Sequence, residues 1–121
     1  MKASTLLPLL TSLASATDML FIGNYAGTID TVSFDTCDFS FKSLASTNES
    51  HPAPSWQELS PNGKFLYTVE ETAFGDASKG AVSSYEIGQD GTLKKVGTAK
   101  GLASPVSLGI SQDGKFILTA N

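Results

Sequence analysis

A pair of glutamates at Glu70-Glu71, one histidine at His51 and one cysteine at Cys37 are the side chains of this 121-residue chain with the most chemistry to offer. A carboxylate or an imidazole can take a proton from water, which makes Glu71 and His51 candidate bases. Glu70, beside them, joins the pair as a candidate substrate-binding group. Each has a plainer reading. His51 precedes Pro52 in a loop, where a histidine simply faces solvent, and the two glutamates can satisfy backbone donors or face water. Cys37 and His51 lack the companions that a metal site needs. Glycine-rich stretches coincide with hairpins rather than with a phosphate loop, and no Gly-x-Ser-x-Gly elbow occurs. No catalytic residue, metal ligand or cofactor follows from these residues.

The cations narrow the chemistry further. All eight basic side chains are lysines, and arginine is absent. The bidentate guanidinium fork is the usual clamp for carboxylate and phosphate, so any such clamp here must use lysine or come from elsewhere. The formal charge is −4. An acidic surface without basic clusters argues against nucleic acid and anionic membrane as partners.

The first sixteen residues read as an address. Lys2 supplies a positive start, Leu6 to Leu13 a short apolar run, and Ala14-Ser15-Ala16 a small-x-small cleavage site. The run is too short to span a bilayer, so a secretory signal cleaved after Ala16 is expected, the plainer alternative being a disordered apolar N-terminus. Cleavage removes one lysine and no acid, taking the charge from −4 to −5. Secretion gives two other residues a meaning. Cys37, as an odd cysteine, is either an unpaired thiol in the Asp35 to Asp38 turn or half of a bond to another chain. Asn48-Glu49-Ser50 is an acceptor triplet for glycosylation at Asn48.

The elements that must position these groups are strands. Short segments at 19–24, 27–35, 39–47, 55–60, 64–70, 80–87, 92–99, 106–111 and 115–120 are rich in β-branched and aromatic residues and bounded by Gly, Pro, Asn or Asp. At 40% hydrophobic and 17% charged residues, the chain makes one globular domain at most, over residues 17–121. Two stretches repeat at an offset of 51: Pro54, Ser60, Gly63, Lys64, Phe65 and Thr68 recur as Pro105, Ser111, Gly114, Lys115, Phe116 and Thr119. Ser60-Pro61-Asn62-Gly63-Lys64 predicts a type I turn closed by a left-handed glycine, and Ser111-Gln112-Asp113-Gly114-Lys115 repeats it. A fainter repeat relates 27–34 to 80–87, with upstream apolar runs at Met19 to Ile22 and Phe65 to Val69.

Four strands about every 50 residues is the pattern of a β-propeller blade, a small antiparallel sheet. The expected fold is therefore all-β, with about two and a quarter blades: three strands, then four, then two. A propeller needs about four blades or more to close, so the chain is expected to be part of a longer propeller or one that other chains complete. Open blade edges invite self-association. A self-contained β-sandwich is permitted by strand count alone but does not explain the offset.

Several of these segments resemble the lactonase family of seven-bladed β-propellers, which includes 6-phosphogluconolactonases and carboxymuconate-cyclising enzymes. They are Pro54-Ser55-Trp56 leading to Ser60-Pro61-Asn62-Gly63-Lys64-Phe65-Leu66-Tyr67, the Glu70-Glu71 pair, Gly80-Ala81-Val82-Ser83-Ser84-Tyr85 and the final Leu118-Thr119-Ala120-Asn121. The resemblance covers nearly all of 18–121. Together with the expected signal it implies the N-terminal portion of a secreted lactone hydrolase or cyclo-isomerase, with a small-molecule lactone as the partner of the complete protein; no cofactor is expected. In such a propeller the reactive end would gather His51 to Pro54, Gly101 to Pro105, Asn24-Tyr25, Glu70-Glu71 and Asn121. Family members often carry a Cys-His pair where this chain has Val106-Ser107, and the family's proposed catalytic histidine, glutamate and arginines match no residue of this chain. The resemblance thus implies an inactive portion of an enzyme. A secreted propeller that binds without catalysis is the alternative.

Overall fold

A computed structural model describes residues 17–48, 53–71, 80–102 and 104–121. The described residues form nine strands and no helix: β1 (Thr17–Gly23), β2 (Ile29–Asp35), β3 (Phe41–Thr47), β4 (Gln57–Leu59), β5 (Phe65–Glu70), β6 (Gly80–Ile87), β7 (Leu93–Leu102), β8 (Ser107–Ile110) and β9 (Ile117–Ala120). They pair antiparallel in chain order as three sheets, β1-β2-β3, β4-β5-β6-β7 and β8-β9. All nine expected strands are present, with shifted ends. Phe39 and Ser40 belong to the β2–β3 turn, Lys115 and Phe116 to the β8–β9 turn, and β7 runs on to Leu102.

The repeated hairpin recurs bond for bond. Gly63 N–H donates to Ser60 O at 2.8 Å, and Gly114 N–H to Ser111 O at 2.8 Å. The Ser60 and Ser111 hydroxyls accept from the N–H of Phe65 and Phe116, each at 3.0 Å. They in turn donate to Asn62 Oδ1 and Asp113 Oδ1, at 2.8 and 2.7 Å. Gly63 and Gly114 sit at φ 67° and 70°, which a side chain would resist. Ser, Asn or Asp, and Gly are thus each needed for a bond or an angle.

The middle sheet is packed on both faces. Strand alternation sends Leu66, Tyr85, Ile87 and Leu93 to one side, where they meet Phe21 and Ile29 of the first sheet. It sends Tyr67, Val69, Val82 and Leu102 to the other, against Leu108 and Ile110 of the third. Ile29, Leu66, Val69 and Tyr85 are essentially inaccessible. Burying each such side chain stabilises the fold by roughly 1.5–3 kcal/mol before ordering costs. A middle sheet covered on both faces is the packing of blades in an arc and excludes a two-sheet sandwich. The chain is a partial β-propeller, and on one side Phe21 of β1 and Ile29 of β2 pack on the middle sheet. On the other side β8 and β9 leave a groove of about 410 Å³ between β9 and the β6–β7 hairpin.

The fainter repeat is deeper than its residue identities indicate. In the first sheet the β2–β3 register slips between Thr31 and Val32, leaving Leu44 as an extra residue. In the middle sheet the β6–β7 register slips between Ser84 and Tyr85, leaving Val96. These are the same β-bulge at the same place. Next to it, Ser46 Oγ donates to Asp30 Oδ1 in one sheet, and the Ser83 and Thr98 hydroxyls share a hydrogen bond of 2.8 Å in the other.

Candidate functional site

The β1–β2, β3–β4, β5–β6 and β7–β8 connections emerge at one end of the sheets, and the tight hairpins turn at the other. The β1–β2 turn is tied by its own side chain. Asn24 accepts the N–H of Ala26 through Oδ1 at 2.9 Å and donates through Nδ2 to Thr28 Oγ1 at 2.5 Å. This turn raises Tyr25 to its tip, 71% exposed. Ala53 and Ser104, each directly before a proline, hold φ of 70° and 38°. Left-handed backbone is uncommon for residues with a Cβ, and it marks the entry to both the middle and the third sheet. Pro54 and Pro105, next in the chain, are both fully buried.

Here the structure joins two connections. Tyr25 Oη donates to Glu71 Oε2 at 3.4 Å, a long hydrogen bond across two sheets. Glu71 N–H donates to Ala53 O at 3.1 Å, so the carboxylate is carried on a tied backbone. Glu71 is therefore at the open end, as expected. Tyr25 was expected at this end too, but its contact with Glu71, 46 positions away, is not foretold by the sequence. His51 lies outside the described residues.

Glu70 is placed differently from the expectation that it satisfies backbone donors or faces water. As the last residue of β5 it shares a face with Leu66 and Thr68, and that face is buried against the first sheet. Only 4% of the residue is exposed. Its Oε1 accepts from the Ser83 hydroxyl and pairs with Lys95 Nζ at 3.3 Å. The Lys95 ammonium also stands 5.9 Å from the centroid of the Tyr85 ring. Strand phase explains the difference: Glu70 ends the alternation of β5, whereas Glu71 follows the strand and turns outward. Glu70 thus joins a polar seam inside the interface. The Thr31 hydroxyl is buried in the same interface with no hydrogen-bond partner among the described residues.

What this end can do chemically is limited. Among the described residues its connections carry one carboxylate, Glu71, and one phenol, Tyr25, and no lysine. Val106 and Ser107 stand where β8 begins. Cys37 is exposed in the β2–β3 turn at the opposite end, its N–H bound to Asp35 Oδ1 at 2.8 Å. Asn48 is exposed just after β3. Two carboxylates have lowered pKa values, and both are far from this end. Asp90 is held down mainly by the Thr92 hydroxyl, Asp113 mainly by the Ser111 hydroxyl.

The same arc is found in known proteins. The chain is 47% identical over 113 residues to a protein of Arthroderma benhamiae named as a probable 6-phosphogluconolactonase, covering 93% of this chain and 27% of that one. It is 30% identical over 108 residues to the 6-phosphogluconolactonase of Formosa agariphila, covering 84% and 30%. Among solved structures, the periplasmic gluconolactonase PpgL of Pseudomonas aeruginosa superposes with a TM-score of 0.75 at 26% identity, over 88% of this chain and 31% of that one. The chain thus spans less than a third of the length of these relatives. Residues 17–121 match the family described as lactonase, 7-bladed beta-propeller. The two and a quarter blades, their repeated hairpin and this match agree: the chain belongs to the lactonase family of β-propellers.

Proposed function

We propose that residues 17–121 are a supporting sector of a secreted propeller that opens a sugar lactone of the 6-phosphogluconolactone kind, and that this sector alone is inactive. The observation that carries the reading is the poverty of cations among the described residues of the connection end. Opening a lactone needs a base and donors for the developing oxyanion. Glu71 is available as a base, but no described residue of the connections is cationic, and the chain has no arginine to hold a phosphate. Family membership supports the lactone. Secretion is supported by Lys2, the Leu6 to Leu13 run and Ala14-Ser15-Ala16. On the same reading Asn48, exposed and in an acceptor triplet, carries a glycan.

The test is hydrolysis of 6-phosphogluconolactone and of unphosphorylated gluconolactone by the purified 121-residue chain, followed by proton release. The expected rate equals the spontaneous one, and turnover above it overturns the reading. N-terminal sequencing of the chain recovered from the medium of a secreting host is expected to begin at Thr17. A second reading, a secreted propeller that binds without catalysis, is favoured by the missing arginines. It predicts that a longer chain containing this one binds a lactone and releases it unchanged.

A further inference from the structure

We propose that the glycan of Asn48 is seated on the protein, its first N-acetylglucosamine lying in the groove between the outer strands of the first and middle sheets and tying the two sheets together. This rests on the reading that Asn48 is glycosylated, and it adds where the sugar lies and what it does there.

The groove has a volume of about 250 Å³ and is lined by Ala45, Ser46, Thr47 and Asn48, at the end of β3, and by Thr92 and Leu93, at the start of β7. β3 and β7 are the outer strands of their sheets, so both walls belong to this chain. Beside the groove the two sheets touch closely. Gly91, buried at φ 85°, stands where a Cβ would come within 2.9 Å of Thr31 Cγ2 and 3.1 Å of Leu44 Cδ1. The acceptor asparagine therefore lines a cleft that is fixed by a tight contact of neighbouring sheets, and the sugar joined to its Nδ2 starts at the cleft wall.

The groove's chemistry suits a sugar. The Thr92 hydroxyl gives its proton to Asp90 Oδ1 at 2.7 Å, and the Ser46 hydroxyl gives its proton to Asp30 Oδ1. Each hydroxyl has one proton to give, so toward a further group both can only accept, and the occupant must be rich in donors. The hydroxyls and amide N–H of N-acetylglucosamine are such donors. Leu93, 8% exposed, and the half-buried Ala45 offer apolar surface to its acetamido methyl and to the C–H face of its ring. Attachment to Asn48 makes the contact intramolecular, so a weak affinity is enough to keep the groove filled. A sugar held by both walls binds the folded chain and not the unfolded one, and stabilises the contact between the sheets.

The test uses the 121-residue chain secreted by a eukaryotic host and trimmed enzymatically to a single N-acetylglucosamine. Its control is Ser50→Ala, which keeps Asn48 and destroys the acceptor triplet. Nuclear Overhauser effects are expected between the acetamido methyl and the methyl groups of Leu93 and Ala45. The thermal midpoint of the trimmed chain is expected about 2–5 °C above that of the control. Ala45→Met, which fills the groove, is expected to remove the Overhauser effects to Leu93 and most of the difference in midpoint; if that variant does not fold, the Overhauser effects of the parent chain decide. Mass spectrometry of the Asn48 peptide separates the two ways of failing. An unmodified Asn48 overturns the glycan reading and this proposal with it. A glycosylated chain with no Overhauser effects to Leu93 and Ala45, or with the midpoint of its control, overturns this proposal and leaves the glycan standing.

Discussion

Glu70 and Lys95 form one ion pair with unequal access to water, and this predicts unequal costs for breaking it from either side. The Glu70 side chain is 6% exposed and the Lys95 side chain 25%. Replacing Lys95 by Met keeps the stem that lies along Tyr85 but leaves the carboxylate buried with the Ser83 hydroxyl as its remaining side-chain donor. Removing one partner of a fully buried pair costs about 3–5 kcal/mol, and the partial exposure of this pair lowers the expectation to about 2–3 kcal/mol. Loss of the contact with the Tyr85 ring is part of that cost. Glu70→Gln is milder, because the amide oxygen still accepts from Ser83 and the long lysine stem can carry its charge into solvent; about 1 kcal/mol is expected. In the Glu70→Gln background, Lys95→Met should cost less than about 1 kcal/mol, since no charge is stranded. Urea unfolding followed by circular dichroism, at one fixed protein concentration, measures all three variants. Equal costs for the two single substitutions, or a larger one for Glu70→Gln, refute the argument from burial.

Four other outcomes follow from the same structure. Thr31→Val replaces a buried hydroxyl that has no partner among the described residues, so it should leave thermal stability unchanged or raise it by up to about 1 kcal/mol. Gly23→Ala should destabilise by about 1–3 kcal/mol, because a Cβ there would come within 2.2 Å of Pro54 O and closer still to the Gln57 amide. Leu66→Ala, at the centre of the first interface, should cost about 2–5 kcal/mol in urea unfolding. The pH dependence involves Asp90 and Asp113. Both are held below the ordinary value of 3.8, so their contribution is present above that value and is lost as pH falls through the lower folded one. Acid titration of Asp90→Asn with Asp113→Asn should therefore show a shallower loss of stability below pH 3.8 than the parent chain.

Much of this fold is legible because each strand is short and ends at a residue with one mechanical use. Gly63 and Gly114 announce a left-handed turn, and Ser60 and Ser111 hold it closed, so the hairpins and the 51-residue offset are written in residue types. The depth of the second repeat is hidden. An extra residue at Leu44 and at Val96 breaks the alternation that a reader of sequence would follow. Glu70 was within reach, since counting by twos from Leu66 puts it on the buried face, but its neighbour Glu71 makes the pair look like a solvated turn. The Tyr25–Glu71 contact was out of reach: nothing local tells a turn tyrosine that it will meet a carboxylate from the next sheet. The positive φ of Ala53 and Ser104 was equally hidden, because neither residue favours it and only the packing of Pro54 and Pro105 behind them enforces it.

The paired bulges set a rule for which sequence changes the outer strands can absorb. Val96 is half exposed and makes no ladder pair, so its identity is nearly free to vary. Deleting it would leave Lys95 opposite Tyr85 and Gly97 opposite Ser84, a regular ladder in which Thr98 still faces Ser83. The same holds for Leu44 in β3, where Ser46 would keep Asp30. Deleting a paired residue of these strands would instead turn the side chains beyond it to the opposite face. The bulges are thus the places where β3 and β7 can change length without losing their phase.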